Sequence, residues 1–256
     1  MPIRAVFFDV GGPINTEVSH ERLIDGHILS ALAAEGLEVS EAEYAAASQW
    51  AVDSFAPNAY QAIIWRLTGG NAAISERVYR IVVERANTLD AFELRPGIAE
   101  LLFRLRRRGL RLGLAANQPQ TTIPVLDAAG IGRFFDGRDA ASSHSVPKPD
   151  VRFFLRLCED LGVRPSEGIM VGDRIDTDVV PAKSVGMHTI LLRTGRHVGQ
   201  QPRTWEEAPD VEVRDVRGIE AAVTYLVRLV NAAPRQAPTL LQLAPGTAVH
   251  SGRRAR

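Results

Sequence analysis

From residue 98 to residue 192 the chain alternates between helix-length amphipathic segments and short apolar runs, and few folds accept that alternation. The pattern predicts a helix over Ile98 to Arg108, a strand over Leu110 to Ala116, a helix over Thr121 to Ala129 and a short strand near Phe134. It continues with a helix over Asp150 to Leu161, a strand over Gly168 to Val171, a helix over Asp178 to Val185 and a strand over Thr189 to Leu192. Strands spaced by helices of roughly 10–12 residues are βαβ units, which build a parallel sheet. Asp210 to Val213 adds a candidate edge strand and Gly218 to Val230 a last helix.

One strand of this sheet is separated from the rest. Residues 4–10 form an apolar run with aromatic and β-branched side chains, stopped by Gly11, Gly12 and Pro13. Between it and the boundary at Arg95, Pro96 and Gly97, alanine-rich stretches keep helical spacing and show no strand alternation. The expected fold is therefore α/β: a Rossmann-like, doubly wound parallel sheet over residues 1–15 and 95–231, with an inserted helical domain over residues 16–94. Residues 232–256, rich in Pro, Ala, Gly and Arg, are expected to be a disordered tail. Trp50, Phe55, Tyr60 and Trp65 either line the inner face of the insert or fill its core.

Composition removes several classes of function. The 30 basic and 30 acidic residues cancel, so no global field favours nucleic acid or an anionic membrane. The single cysteine, Cys158, rules out an intrachain disulfide and reads as a packed thiol. No stretch approaches 18 apolar residues, and the N-terminus enters a strand without the layout of a signal peptide, so cytoplasmic residence is the expectation. Oligomeric state is not legible. Only Lys148 and Lys183 among the 30 basic residues are lysines, which marks both as positions where arginine was not used.

Ligands of doubly wound sheets bind beyond the carboxyl ends of the strands, and four such ends carry polar residues. Asp9 ends Val6-Phe7-Phe8; an acid there is costly without a task or a partner, though a turn-capping aspartate is the plain alternative. Asn117 follows the second run, where asparagine is commonly a turn residue. Lys148 is framed by Pro147 and Pro149, with Pro149 able to open a helix; a solvated loop lysine is the default for it in isolation. The fourth end is Gly172-Asp173-Arg174-Ile175-Asp176-Thr177-Asp178, whose three carboxylates repel unless a cation or hydrogen bonds compensate. Mg²⁺ takes one or two carboxylates plus waters and phosphate oxygens, while Asp178 could instead cap the helix that follows.

In their order and spacing these segments resemble the haloacid dehalogenase-like hydrolases: Phe-Phe-Asp9 as motif I, Asn117 beside motif II, Lys148-Pro149 as motif III, and Asp173 through Asp178 as motif IV. The resemblance covers residues 3–193 and puts the helical insert where that family carries a type C1 cap. It implies that Asp9 is a nucleophile forming a covalent aspartyl intermediate and that Lys148 neutralises charge beside it. It implies Mg²⁺ held by Asp9, Asp173, Asp178 and the Gly11 carbonyl. The positions of Gly12, Ala116 and Asn117 would face the transferring group of a small phosphorylated metabolite.

Two departures qualify that picture. The family's phosphatases carry a second aspartate two residues after the nucleophile, to protonate the leaving group and activate water; here that residue is Gly11. General acid–base catalysis contributes about 10²–10⁴-fold, so weak turnover of ordinary phosphomonoesters is expected, with acyl or aryl phosphates favoured. The serine or threonine of motif II is replaced by Ala116, and the threonine that ends motif I by Pro13. A catalytically silent phospholigand-binding or regulatory protein is the alternative. Phosphonatase-like chemistry needs a cap lysine and residues 16–94 contain none; dehalogenases would not need the acidic Asp173–Asp178 cluster.

Overall fold

The structure, a computed structural model, describes residues 2–86, 92–117, 122–137 and 146–232. In chain order the elements are β1 (Ala5–Phe8), α1 (Val18–Ala34), α2 (Glu41–Asp53), α3 (Ala59–Leu67), α4 (Ala72–Ala86), α5 (Ile98–Arg107), β2 (Arg111–Leu114), α6 (Thr122–Ala128), α7 (Val151–Asp160), β3 (Gly168–Gly172), α8 (Val180–Ser184), β4 (His188–Leu192), β5 (Val211–Val213) and α9 (Val216–Ala232). The five strands form one sheet in the order β2-β1-β3-β4-β5, every neighbouring pair parallel. Successive side chains on a strand face opposite sides, and this sheet is covered on both. Val6, Phe8, Leu112, Leu114, Ile169 and Val171 pack with residues of α5 and α9. Ala5, Phe7 and Met170 face the other way, against Phe153, Phe154 and Leu157 of α7 and Ala182 of α8. Each fully buried aliphatic or aromatic side chain contributes about 1.5–3 kcal/mol, so the near-continuous apolar runs seen in the sequence are what a sheet buried on both faces requires.

β1 lies between β2 and β3, and its register carries Phe8 opposite Leu114 on one side and Val171 on the other. The carboxyl end of β1 is thus the switch point of the sheet, where a crevice opens. Helices α1 to α4 fill the gap after β1 and bury a separate core that includes Ile24, Ile28, Leu32, Ile63, Ile64, Val78 and Val82. Ser40 and Glu43 form a reciprocal capping box that starts α2, and the Asn58 side chain accepts from the Gln61 amide to start α3. The two strands of chain that join this insert to the sheet are zipped together: Thr16 N donates to Glu93 O (2.9 Å) and Arg95 N to Ile14 O (2.7 Å). Asn15 Oδ1 also accepts from Glu93 N at 2.9 Å.

Several local expectations need correction. The strand expected near Phe134 is a 3₁₀ turn over Gly132–Phe134, and the β contact comes later, as a single bridge from Gly113 to Gly137. Gly-Arg-Phe turns back under the end of α6 before the chain reaches the sheet. The helix expected from Asp178 starts as a π-turn over Ile175–Val179 and becomes α-helical only at Val180; such turns are frequent at functional sites. Pro149 does not open α7. Asp150 is its N-cap, accepting from Arg152 N at 2.8 Å, and the helix begins at Val151. Trp50 and Trp65 neither fill the core of the insert nor line the cleft under it; they are 36% and 45% exposed. Of the expected tail, 232–256, Ala232 closes α9 and the rest lies outside the described residues, as does Thr121.

Candidate active site

The ends of β1, β2 and β3, the turn after β3 and the segment before α7, where Lys148 follows no described strand, bring the polar residues together beneath the insert, around a cleft of about 590 Å³. Asp9 is delivered by β1, whose hydrogen bonding continues one residue past the strand: its amide donates to Val171 O at 2.9 Å. Its Oδ1 accepts from the Val10 amide at 2.7 Å, which leaves Oδ2 facing the Lys148 ammonium 3.1 Å away. Lys148 Nζ also donates to Asp178 Oδ1 at 2.6 Å, and Asp178 Oδ2 accepts from the Arg174 amide at 3.1 Å. The ammonium therefore bridges two carboxylates that approach from different strands. Asn117 does not reach into open space. Its side chain clasps the main chain of Lys148, Nδ2 donating to Lys148 O and Oδ1 accepting from Lys148 N, both at 2.9 Å. Its visible task is to fix the backbone that carries the lysine.

Burial makes this cluster electrostatically demanding. Asp9, Lys148 and Asp173 are 5–7% exposed and Asp178 is fully buried. Desolvation, reinforced by the Asp178 charge, pushes the Asp9 carboxyl up to about 6, against the opposing pull of Lys148. Desolvation and then the charges of Asp178, Asp9 and Glu17 push Asp173 well above the carboxylate range. For Lys148 desolvation works against the ammonium, but the two carboxylates outweigh it and hold the group protonated. Three carboxylates face one ammonium, and charge of that sort is unfavourable without a further cation.

The geometry fits such a cation. Single oxygens of Asp9, Asp173 and Asp178 lie within 4.8 Å of one another, close to the span of roughly 4 Å across an octahedral Mg²⁺ with ligands at about 2.1 Å. Among the described residues no donor reaches the Asp173 carboxylate, so it has free acceptor capacity where Asp178 has little. The turn after β1 makes room for it: Gly12 has φ +74°, and a Cβ there would stand 2.7 Å from the Asp173 side chain. Gly12 O accepts from Arg95 Nε at 2.5 Å. Of the positions expected to face a transferring group, Asn117 lines the cleft, whereas Gly12 does not and the Ala116 side chain packs into the sheet core.

Further residues complete the cleft; Phe55 and Tyr60 fall on the inner face that the sequence offers them, whereas local patterns reveal nothing of Glu17, His20, Glu21 and Arg196. Phe55 and Tyr60 line it from the insert, together with Glu17, His20 and Glu21. From the sheet side Arg196 reaches across: its Nη2 meets Asp25 Oδ1 at 2.5 Å and its Nη1 donates to Ser48 Oγ at 2.8 Å. Its guanidinium lies 4.9 Å from the Tyr60 ring centroid. Arg174 pairs with Asp176 at 2.5 Å and donates to Ala56 O of the insert at 3.3 Å. Apart from Arg174–Asp176, these pairings join residues more than a hundred positions apart, so no local spacing announces them. Glu17 is a backbone outlier at φ +58°, ψ −5°, just before α1; for a non-glycine residue that conformation costs roughly 1–2 kcal/mol. Burial and then the charges of Asp9 and Glu21 push its carboxyl up to about 8.

A family model of haloacid dehalogenase-like hydrolases matches residues 3–186, a stretch that holds Asp9, Lys148, Asp173 and Asp178. The chain belongs to that family. A glyceraldehyde 3-phosphate phosphatase of Methanopyrus kandleri is 28% identical over 237 residues, spanning 88% of this chain and 99% of that protein. A phosphoglycolate phosphatase of Pseudomonas putida is 28% identical over 178 residues, 66% of this chain and 64% of that protein. Among solved structures, a predicted phosphoglycolate phosphatase from Haemophilus somnus aligns with a TM-score of 0.64 at 21% identity, covering 86% of this chain and 98% of its own. A dehalogenase aligns with a TM-score of 0.56 at 18% identity, covering 86% and 96%. At these identities the structural likeness within the family speaks for the fold alone and does not choose between phosphorus- and carbon-centred chemistry. No helix among the described residues is long and apolar enough to cross a membrane.

Proposed function

We propose that this haloacid dehalogenase-like chain is a phosphatase-type hydrolase of small phosphorylated metabolites, with Asp9 as nucleophile and Mg²⁺ as its metal. The observation that carries the reading is the Lys148 ammonium held between Asp9 and Asp178 at 3.1 and 2.6 Å. It keeps one oxygen of Asp9 ionised and oriented at the floor of the cleft, and offers a compact positive charge to an incoming phosphate. Asn117 and Asp178 act through Lys148, one fixing its backbone and the other its ammonium. Asp9, Asp173, Asp178 and the Gly11 carbonyl are the ligands for Mg²⁺, which when bound supplies positive charge to the phosphoryl oxygens. The acidic cluster favours this over metal-free carbon chemistry, and the two relatives matched by sequence above are phosphatases.

Residues 16–94 would then act as the cap over a core of residues 1–15 and 95–231, with Phe55, Tyr60 and Arg196 shaping what enters. With glycine at position 11, motif I supplies no side chain to move a proton. A site relying on that motif alone would favour acyl and aryl phosphates by the roughly 10²–10⁴-fold that acid–base catalysis contributes. Gly11 is also the observation that favours a second reading, a catalytically silent phospholigand-binding protein. Phosphate release from a panel of acyl, aryl and alkyl phosphates, with and without Mg²⁺, separates the two. The hydrolase reading expects Mg²⁺-dependent release that Asp9→Asn abolishes; a wild type no faster than Asp9→Asn on every ester leaves only the binding reading.

A further inference from the structure

Hydrolysis through an aspartyl intermediate needs one group that gives a proton to the leaving oxygen and later takes one from water. Several carboxyls of the cleft are already engaged. Asp9 is the attacking group, Asp178 is fully buried with both oxygens accepting from Lys148 and Arg174, and Asp173 stands among the candidate metal ligands. Lys148 is locked between two carboxylates. Glu17 is different. It lines the cleft with Asp9 and Gly11, and among the described residues no donor reaches its carboxylate. Although it stands at the N-cap of α1, its side chain makes no capping bond. Both its carboxylate oxygens lie 2.8 Å from the point a Gly11 Cβ would occupy. A side chain at position 11 would push the Glu17 carboxyl out of that space, and glycine lets the glutamate occupy it. The left-handed backbone of Glu17 is the kind of strain that persists where the surroundings impose it and that clusters at functional sites.

We propose that Glu17 is the acid–base residue of this hydrolase, its carboxyl entering from the insert linker to fill the place left empty by Gly11. The inference rests on the hydrolase reading and extends it. In the first step an Asp9 oxygen bonds to phosphorus, the bond from phosphorus to the ester oxygen breaks, and that oxygen takes the proton of the Glu17 carboxylic acid. In the second, a water oxygen bonds to phosphorus as its proton passes to the Glu17 carboxylate. The Asp9 oxygen–phosphorus bond breaks, returning free Asp9, protonated Glu17 and phosphate. With that proton supplied, ordinary alkyl phosphates become substrates.

The test compares p-nitrophenyl phosphate, whose leaving group departs without a proton, with glycerol phosphate, whose leaving group requires one. Wild type, Asp9→Asn and Glu17→Gln are followed in the first turnover and in the steady state. Glu17→Gln should keep a first-turnover burst of nitrophenol while its steady-state rate, and all turnover of glycerol phosphate, fall about 10²–10⁴-fold. Half-saturation by Mg²⁺ should stay within threefold. The double variant Gly11→Asp/Glu17→Ala should recover at least tenfold over Glu17→Ala, because it returns a carboxyl to the same space. Glycerol phosphate turnover by Glu17→Gln within threefold of wild type, with Asp9→Asn inactive, overturns the assignment and leaves the hydrolase reading standing. A tenfold or greater loss of Mg²⁺ affinity, or a double variant no faster than Glu17→Ala, overturns it as well. Absence of any Asp9-dependent release by the wild type overturns both.

Discussion

The two walls of the cleft are built on different physics. On the sheet side Asp9 and Asp173 follow strand ends, Asp178 sits in the turn after β3 and Lys148 stands just before α7; all four are almost dry, and the Lys148 ammonium is the cation in contact with Asp9 and Asp178. On the insert side the charges are more nearly matched and wetter. Arg196 meets Asp25, which also accepts from the Tyr44 hydroxyl at 2.5 Å, and Glu21 accepts from the Arg196 amide at 2.9 Å. The sheet side is a fixed, frustrated cluster waiting for a cation. Apart from Glu17, the insert side is a set of satisfied pairs across a joint between the insert and the sheet. A preorganised floor under a wall that can open suits an enzyme that must both hold a phosphate and release it.

Removing the buried lysine of the sheet side is the strongest way to probe that contrast. Lys148→Met should abolish Asp9-dependent turnover and, without Mg²⁺, destabilise the fold by about 3–5 kcal/mol, the usual result of stranding a buried charge. The loss should shrink as pH falls from 8 to 5, because Asp9 and Asp173, already raised by burial, neutralise themselves by binding protons. Urea midpoints at several pH values measure this. A loss below about 1 kcal/mol, the same at each pH, would show that Lys148 is not the compensating charge.

Arg196→Met tests the other wall and should do less. It removes the contacts to Asp25, Ser48 and Tyr60 but leaves Asp25 its bond from Tyr44. Hydrogen bonds to charged groups contribute about 1.5–3 kcal/mol net, and partial exposure of Asp25 places the expected loss at the lower end. KM should rise more than kcat falls, and amide exchange should quicken around Thr16 and Arg95 while β1 and β3 stay protected. Equal acceleration in β1 would mean that Arg196 supports the sheet and not the joint.

The same division decides what could be read from the sequence. Asp9 and Asp173 were legible because each follows an apolar run that can only be a strand, and strand ends of one parallel sheet must converge; Lys148 and Asp178, which follow no strand directly, were legible through the order and spacing of the four segments. Asn117 was legible as a position but not as a role, since whether it turns to Lys148 or to a ligand is a rotamer question. Glu17, Asp25 and Arg196 were not legible at all. Arg196 finds Asp25 across 171 positions, and the nearness of Glu17 to Gly11 depends on one left-handed residue that no propensity predicts. The glycine itself was the available clue: a small residue where a long one is usual asks what fills the space. The Phe134 region misled because a short apolar run of two or three residues does not separate a strand from a 3₁₀ turn.

A smaller effect should appear at acid pH on the joint alone. Burial first, and then the Arg174 and Arg196 charges, depress the His197 imidazole to about 3 although Asp176 pulls the other way. Its folded-state value lies below the unfolded one near 6.5, so between pH 3 and 6.5 the unfolded chain binds more protons. The stability linked to neutral His197 is therefore complete above pH 6.5 and is lost as pH falls through that window. One group cannot contribute a slope above about 1.4 kcal/mol per pH unit, and partial exposure lowers that ceiling here. His197→Asn, which carries no titrating proton, should flatten the acid limb of a stability profile between pH 4 and 6.5 while leaving stability at pH 8 nearly unchanged. Parallel profiles for wild type and variant would place the acid sensitivity on the sheet side, with carboxylates such as Asp9, and the joint would then be insensitive to protons.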